Sequence, residues 1–269
     1  MKQTIQGIIT SLSAPRESFQ GEAYWKASRF ALFALLFLCF LSSSLLSHMA
    51  QQTPEFKAIQ FEMALKTAEK QMVGATEDQR ASTRENIRQQ MDNPVMKAIS
   101  LVSLVVVSFA MLLRVLILWG LISIVSRFLG GEETPLDGKK HRRTLYMVLY
   151  ATIPVAISYV LSGLMMALKD PSAYANALTM KEYVRAMSAS PNLYYLFAPT
   201  SLELWPFVEY LLKVLTDPFH WWAFIILFVG MKSLLRLNGA KCVFLLSLSV
   251  VVFGTFTAVS QSFASVFGG

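Results

Sequence analysis

Five long segments with almost no charged residue constrain this chain more than any other feature of its sequence. They lie at about 27–50, 98–124, 145–168, 218–237 and 242–267. A helix needs about 20 apolar residues to cross the hydrocarbon core of a bilayer, so each segment is long enough, or nearly so, to span it. We therefore predict an all-α fold: a polytopic membrane helix bundle with five transmembrane helices, forming a single membrane domain over residues 1–269.

The composition favours a membrane protein over a soluble one. Apolar residues make up 54% of the 269 residues and charged residues only 15%, whereas a soluble domain carries about 25% charged residues. The formal net charge of +7 could indicate a nucleic-acid partner. An excess of Lys and Arg in cytoplasmic loops explains this charge more simply, since no compact basic domain is present. We expect no nucleic acid among the partners.

The short connections between the apolar runs are dense in basic residues. Residues 126–144 contain Arg127, Lys139, Lys140, Arg142 and Arg143, and residues 232–241 contain three further basic residues and no acid. Short loops that are rich in Lys and Arg stay in the cytoplasm. We therefore expect a multi-pass membrane protein with a cytoplasmic N-terminus and an extracytoplasmic C-terminus.

The two longer connections are predicted to lie on the opposite, extracytoplasmic side. Residues 51–97 have apolar residues at helical spacing, with a helix start at Thr53-Pro54 and a break at Gly74, which predicts a helical hairpin. This hairpin is either solvated or a docking surface for a partner, and the sequence does not separate the two.

The second of these connections, about 190–217, is crowded with aromatic residues. Thr200 and Glu203 have the spacing of a capping box, which predicts a short helix. Aromatic side chains with one polar edge prefer the headgroup level, so we expect an interfacial helix that leads through Asp217-Pro218 into the fourth span. The candidate interfacial aromatic residues are Trp205, Trp221 and Trp222. The alternative is a lid over a ligand cavity.

An apolar stripe also marks the N-terminal residues. Ile5, Ile8, Ile9 and Leu12 recur at helical spacing before Pro15. Such a stripe is typical of a helix that lies on the inner leaflet, and a simple packing helix explains it nearly as well.

Charged residues inside membrane spans are candidates for function by default. We single out two candidates: Arg114 in the second run and Lys232 near the end of the fourth. Each could extend its long side chain to the cytoplasmic interface, and each could instead line a polar pathway. No acidic residue lies within any of the five runs to pair with them, which argues against a proton relay.

Small residues predict close helix packing in two runs. Gly254, Ala258 and Ser262 recur every four residues in the last run, and this spacing lets helices approach closely within or between chains. Pro154 lies inside the third run, where it removes a backbone hydrogen bond and is expected to kink the helix.

The sequence offers little for catalysis. His48, His141 and His220 are far apart, and none lies in a metal-binding or nucleotide-binding motif. Cys39 and Cys242 both fall inside apolar runs and are expected to be small buried hydrophobic residues. We predict no catalytic residue, no metal site and no cofactor, and hence a protein that is not an enzyme.

The chain resembles the Yip1 family, in particular its bacterial branch. The resemblance rests on Pro15 and Phe19 in the leader SAPRESF, on the segment Ala151-Thr152-Ile153-Pro154, and above all on the C-terminal third. There, LELWPFVEYLLKVLTDPFHWWAFIILFVGMKSLLRLNGAKCVFLL is similar to the short helix of the family and its last two spans. The positions that carry this similarity are Asp217, Phe219, Trp222, Gly239 and Lys241.

The resemblance implies five spans with the two termini on opposite sides of the membrane. Eukaryotic relatives bind Rab GTPases and carry an Asp-Leu-Tyr-Gly-Pro motif that is missing from this sequence, so Rab binding is not expected here. Some bacterial relatives look like accessory subunits of export systems. No functional residue carries over from them.

Three functions are compatible with these observations. The first is a non-enzymatic accessory or scaffold protein of a bacterial inner membrane, with membrane lipids and a membrane protein as partners; subunits of an ABC-type export pump are candidates. The second is a small-molecule transporter or channel. The third is a lipid-binding or membrane-shaping protein. The sequence leaves the oligomeric state open.

Overall fold

The structure is a computed structural model that describes residues 2–19, 28–71, 76–129, 138–170, 192–194 and 204–267. These ranges contain ten α-helices and no β-strand, which confirms the predicted all-α fold class. The helices are α1 (Lys2–Ser13), α2 (Pro15–Ser18), α3 (Arg29–Gln51), α4 (Pro54–Gln71), α5 (Glu77–Asp92), α6 (Pro94–Leu129), α7 (Gly138–Leu168), α8 (Pro206–Leu215), α9 (Pro218–Leu234) and α10 (Gly239–Phe267).

Four of the helices are individually long and apolar enough to cross a membrane. These segments are Arg29–Gln51, Lys97–Leu129, His141–Leu168 and Gly239–Ser260, and they coincide with four of the five predicted runs. The remaining run differs from its prediction. Helix α9 has 17 residues, and it reaches the length of a span only together with α8, to which it is joined by a bend of 76°. Among the described residues there are therefore four spans, or five if the bent pair is one span.

The early end of α9 has a local cause. Arg236 has a φ of 53°, in the left-handed region that stops a right-handed helix. Asn238 then accepts a hydrogen bond from the backbone N–H of Lys241 at 2.9 Å through its side-chain oxygen, and so caps the N-terminus of α10. Because of this turn, α9 ends at Leu234 instead of residue 237, and α10 begins at Gly239 instead of residue 242.

The chain divides into two compact units. Unit 1 comprises Met1–Cys39, Ala110–Tyr159 and Pro191–Gly269, and unit 2 comprises Phe40–Phe109 and Val160–Ser190. Each unit is described separately below.

Unit 2 contains the predicted hairpin, as helices α4 and α5. Helix α4 begins at Pro54, as predicted from Thr53-Pro54. Helix α5 begins after Thr76, which forms a capping box with Gln79, because each side chain bonds to the backbone N–H of the other residue. An ion pair between Arg84 and Glu69, at 3.7 Å, links the two helices. Residues 72–75, which include Gly74, lie outside the described residues.

One end of unit 1 brings three helix ends together. The indole N–H of Trp119 on α6 donates to the backbone oxygen of His141 on α7 at 3.2 Å, and Arg127 donates to Nε2 of the same histidine at 2.9 Å. The ammonium group of Lys241 on α10 donates to the backbone oxygen of Leu129, the last residue of α6. A cation at this position also interacts favourably with the negative end of the helix dipole. We call this region, with the neighbouring Arg142 and Arg143, the Arg-rich end.

Glycines mark the closest helix contacts within each unit. In unit 1, a Cβ atom on Gly230 of α9 would lie 2.5 Å from the Met147 side chain of α7 and 3.0 Å from Phe19. In unit 2, a Cβ atom on Gly163 of α7 would lie 2.9 Å from the backbone oxygen of Ser43 on α3. Backbone atoms cannot move aside as a side-chain tip can, so the crossing of α3 and α7 requires glycine at residue 163.

Replacement by alanine is expected to have opposite effects on stability at Gly163, in the crossing of α3 and α7, and at Gly120. We expect Gly163→Ala to destabilise the protein by about 1–3 kcal/mol, because the methyl group overpacks the contact with Ser43. Gly120→Ala is the matched control, since a Cβ atom there has no neighbour within 4 Å and alanine favours the helix. The measurement is the thermal unfolding midpoint in detergent. Equal midpoints for the two variants would contradict the close contact.

Candidate functional site at a bent helix pair

The sharp bend between α8 and α9 is formed by residues with strong local preferences. Asp217 accepts a hydrogen bond from the backbone N–H of Phe219 at 2.8 Å, which caps the first turn of α9. Pro218 follows as the first helical residue, where its missing N–H costs little. Thus α9 starts in a new direction, 76° away from that of α8.

The backbone oxygens in the last turn of α8 have no hydrogen-bond partner inside the helix. Residues of the segment 192–194 supply donors for them. The amide nitrogen of Asn192 donates to the backbone oxygen of Lys213 at 2.6 Å. Its oxygen accepts hydrogen bonds from the backbone N–H of Tyr194 at 2.8 Å and from the hydroxyl of Thr216 at 2.7 Å. The indole N–H of Trp221 donates to the backbone oxygen of Leu215 at 2.7 Å. We call this network the α8–α9 corner.

Two acidic residues lie within the stretch formed by α8 and α9, although no acid was expected in the membrane spans. The run 218–237 contains no acid, as the sequence showed, but the bent pair also contains Glu209 and Asp217. Asp217 is only 4% exposed, and its second oxygen lies 2.7 Å from Nδ1 of His220. Glu209 forms an ion pair with Lys213 at 2.9 Å. Both carboxylates therefore have a basic partner within the corner itself.

Helix α8 packs on α10 at Gly254. A Cβ atom on Gly254 would lie 2.8 Å from the ring of Phe207 and 3.0 Å from the ring of Tyr210. Ala258, one turn further along α10, is also buried. Ser262 lies on the same helix, but its side chain is outside the described part of the chain. Gly254 thus has a defined neighbour, α8, which the sequence could not identify.

Arg114 lies within electrostatic range of the same tyrosine. Its guanidinium group and the side chain of Tyr159 are both close enough to Tyr210 to interact with it electrostatically. One nitrogen of Arg114 also lies 3.8 Å from the sulfur of Met111. Met111 precedes Arg114 on α6, whereas the Arg-rich end lies in the other direction, beyond Trp119. That Arg114 extends its side chain to the cytoplasmic interface stays a prediction.

The depth of this cluster can be estimated along two helices. Gly254 comes fifteen residues after Gly239, the first residue of α10, and Arg114 comes fifteen residues before Leu129, the last residue of α6. At 1.5 Å per residue, Gly254 lies about 22 Å from the first residue of α10 and Arg114 about 22 Å from the last residue of α6, while Trp119 of the Arg-rich end is only about 8 Å from Arg114 along α6. Gly254 and Arg114 are therefore equally far along their own helices from Lys241 and Leu129, where these helices meet.

The other predicted residues take separate positions. Lys232 is exposed near the C-terminus of α9, and Pro154 is buried within α7, which continues from Gly138 to Leu168. Trp205 is 67% exposed, and its ring lies 5.7 Å from that of Phe207. Trp221 and Trp222 are exposed on the first turn of α9. Thr200 and Glu203, the predicted capping box, lie outside the described residues, and α8 begins at Pro206.

Sequence reasoning missed Tyr210 and Asn192, which hold this region together. Asn192 also bonds locally to Tyr194, but its bonds to the end of α8 join residues 21 and 24 positions further along the chain, which no local pattern predicts. Within the described ranges, no three His, Cys, Asp or Glu side chains lie close enough to hold a metal ion.

The helices show that this protein is an all-α, multi-pass integral membrane protein. Comparison with known families then identifies the group. A family model described as the Yip1 domain matches residues 9–260, so the chain belongs to the Yip1 family. Comparisons with curated proteins and with solved structures found no match.

The electrostatic interaction between Arg114 and Tyr210 can be tested by a double-mutant cycle. We expect Arg114→Gln and Tyr210→Phe to be non-additive in their free energies of unfolding, with a coupling of about 0.5–1.5 kcal/mol, because each removes one partner of the same interaction. The control cycle pairs Arg114→Gln with Tyr194→Phe, since Tyr194 lies at the other end of α8 beside Lys213. Additive effects in both cycles would show that Arg114 does not interact with Tyr210.

Proposed function

We propose that this Yip1 family protein is a non-enzymatic accessory or scaffold protein of a bacterial inner membrane. It acts by contact with lipids and with a membrane protein partner, and the subunits of an ABC-type export pump are the partner class we propose. The main observation behind this proposal is that both acidic residues of the bent pair are already bonded to neighbouring groups. Asp217 is bonded to Phe219 and His220, and Glu209 to Lys213, so both carboxylates serve to hold the corner.

The hairpin of α4 and α5 is the surface that we propose for the protein partner. Of the α5 side chains that are described, only Thr83 and Ile87 are partly covered. A helix that is polar all round gains little from packing, so it needs another reason to be present. Its mixture of arginines and acids suits a partner surface that also carries both signs of charge.

A photo-cross-linking experiment tests this proposal. A photoreactive amino acid is placed at Ser82 or Asn86, two exposed positions one turn apart on α5. The control position is Val106 on α6, which is exposed and apolar. We expect cross-links from residues 82 and 86 to a subunit of an export complex, identified by mass spectrometry, and none to that subunit from residue 106. If irradiation at residues 82 and 86 yields no protein adduct, the hairpin is a solvated element and the proposal fails.

A small-molecule transporter or channel is the second candidate, and Arg114 is the observation that favours it. A charged group inside a membrane-spanning segment and near enough to Tyr210 to act on it electrostatically could line a polar pathway. Water access distinguishes the two functions. In a variant without Cys39 and Cys242, we expect Arg114→Cys to be inert to a water-soluble maleimide, as in a dry bundle. Rapid labelling would favour the pathway and reject the scaffold.

A further inference from the structure

Helix α1 contacts the rest of unit 1 through small residues. Thr4 is 8% exposed, Ser11 is fully buried, and Gly7 lies between them on the same face. A Cβ atom on Gly7 would lie 2.5 Å from the hydroxyl oxygen of Tyr150 on α7. The hydroxyl of Ser11 donates to the backbone oxygen of Ile8 at 2.8 Å, so its polar group is satisfied within the helix. Helix α1 therefore lies closely against α7.

The rest of the surface of α1 divides into two sectors. At about 100° per residue, Ile5, Ile8, Ile9 and Leu12 fall within one sector about 100° wide. Gln3, Gln6, Thr10 and Ser13 fall within a second sector of similar width, on the other side of the face that contacts α7. Ile5 is 51% exposed and Ile9 is 60% exposed. The helix thus has a protein-facing side, an apolar side and a polar side.

Three such sides are expected of a helix that lies at the boundary between water and a bilayer, beside a membrane-spanning helix. In water, the exposed isoleucines would forgo part of the roughly 1.5–3 kcal/mol that burial of each provides. In the interfacial region, the apolar side would contact acyl chains while the polar side remains hydrated.

The position of α1 along α7 fits this placement. Tyr150 comes nine residues after His141, so α1 meets α7 about 13 Å from its first polar turns, within the segment His141–Leu168 that can span a membrane. Arg142 and Arg143 are exposed at the start of α7, about 10 Å from Tyr150. Arginines at this level attract the anionic headgroups of phospholipids.

We propose that α1 is embedded in the phospholipid leaflet at the Arg-rich end, with its isoleucine sector among the acyl chains and its glutamine sector facing the headgroups and water. The occupant of the exposed apolar side is lipid, and the embedding is independent of the scaffold function proposed above.

Spin labelling tests this arrangement in the full-length protein. Single cysteines are introduced at Ile5, Ile9, Gln6 or Ser13 in a variant that lacks Cys39 and Cys242, labelled with a nitroxide and reconstituted into vesicles of phosphatidylethanolamine and phosphatidylglycerol. We expect labels at residues 5 and 9 to collide more often with oxygen, which concentrates in the acyl region, than with a water-soluble nickel chelate. Labels at residues 6 and 13, the matched controls, should show the opposite ratio. Elution as a single size-exclusion peak establishes that each variant is folded.

Two results would overturn the proposal. Higher collision rates with the nickel chelate at residues 5 and 9 would place the isoleucines in water. Low collision rates with both reagents at these residues would show that another segment, or a second copy of the chain, covers the apolar side.

Discussion

Where a helix changes direction at the edge of a bilayer, protein groups must satisfy the backbone polar atoms that the change exposes to hydrocarbon, because the hydrocarbon offers no hydrogen-bond partners. The α8–α9 corner meets this requirement with side chains from three segments. Asp217 caps the start of α9, Asn192 satisfies the end of α8, and the indole of Trp221 closes the turn. Much of the arrangement of unit 1 depends on this corner.

The corner determines where the neighbouring helices can go. Helix α8 lies across α10 at Gly254, about 22 Å from the Arg-rich end, and α9 then runs back to Gly230, where it contacts Met147 near the start of α7. The 17 residues of α9 extend about 25 Å, close to the thickness of the hydrocarbon core. The bent pair is therefore able to act as one crossing, with α8 near one surface and the end of α9 near the other.

Local chemistry made much of this fold predictable. The apolar runs predicted the long helices. Thr53-Pro54 predicted the start of α4, and Asp217-Pro218 predicted the start of the helix that follows the bend. The density of basic residues in residues 126–144 and 232–241 placed these connections on one side. The hydrogen bond from Lys241 to Leu129 agrees, because it joins the ends of these two connections.

Other features could not be predicted because they depend on residues distant in sequence. Asn192 bonds to groups more than 20 residues away, and Trp119 reaches His141 across a similar separation. The left-handed backbone at Arg236, which shortens α9, has no signal in an arginine residue. The proximity of Arg114 to Tyr210 depends on where α8 packs, and the sequence of α6 does not contain that information.

The most direct test of the five-span arrangement is whether the two ends of α9 lie on opposite sides of the membrane. Leu193, in the corner, and Ala240, at the start of α10, are both exposed; each is replaced by a single cysteine and treated with a membrane-impermeant maleimide in sealed membranes. If α9 crosses the membrane, one of the two residues reacts at once and the other reacts only after the membrane is permeabilised. Reaction of both residues from the same side would show that α8 and α9 form a re-entrant loop, which contradicts the five-span arrangement.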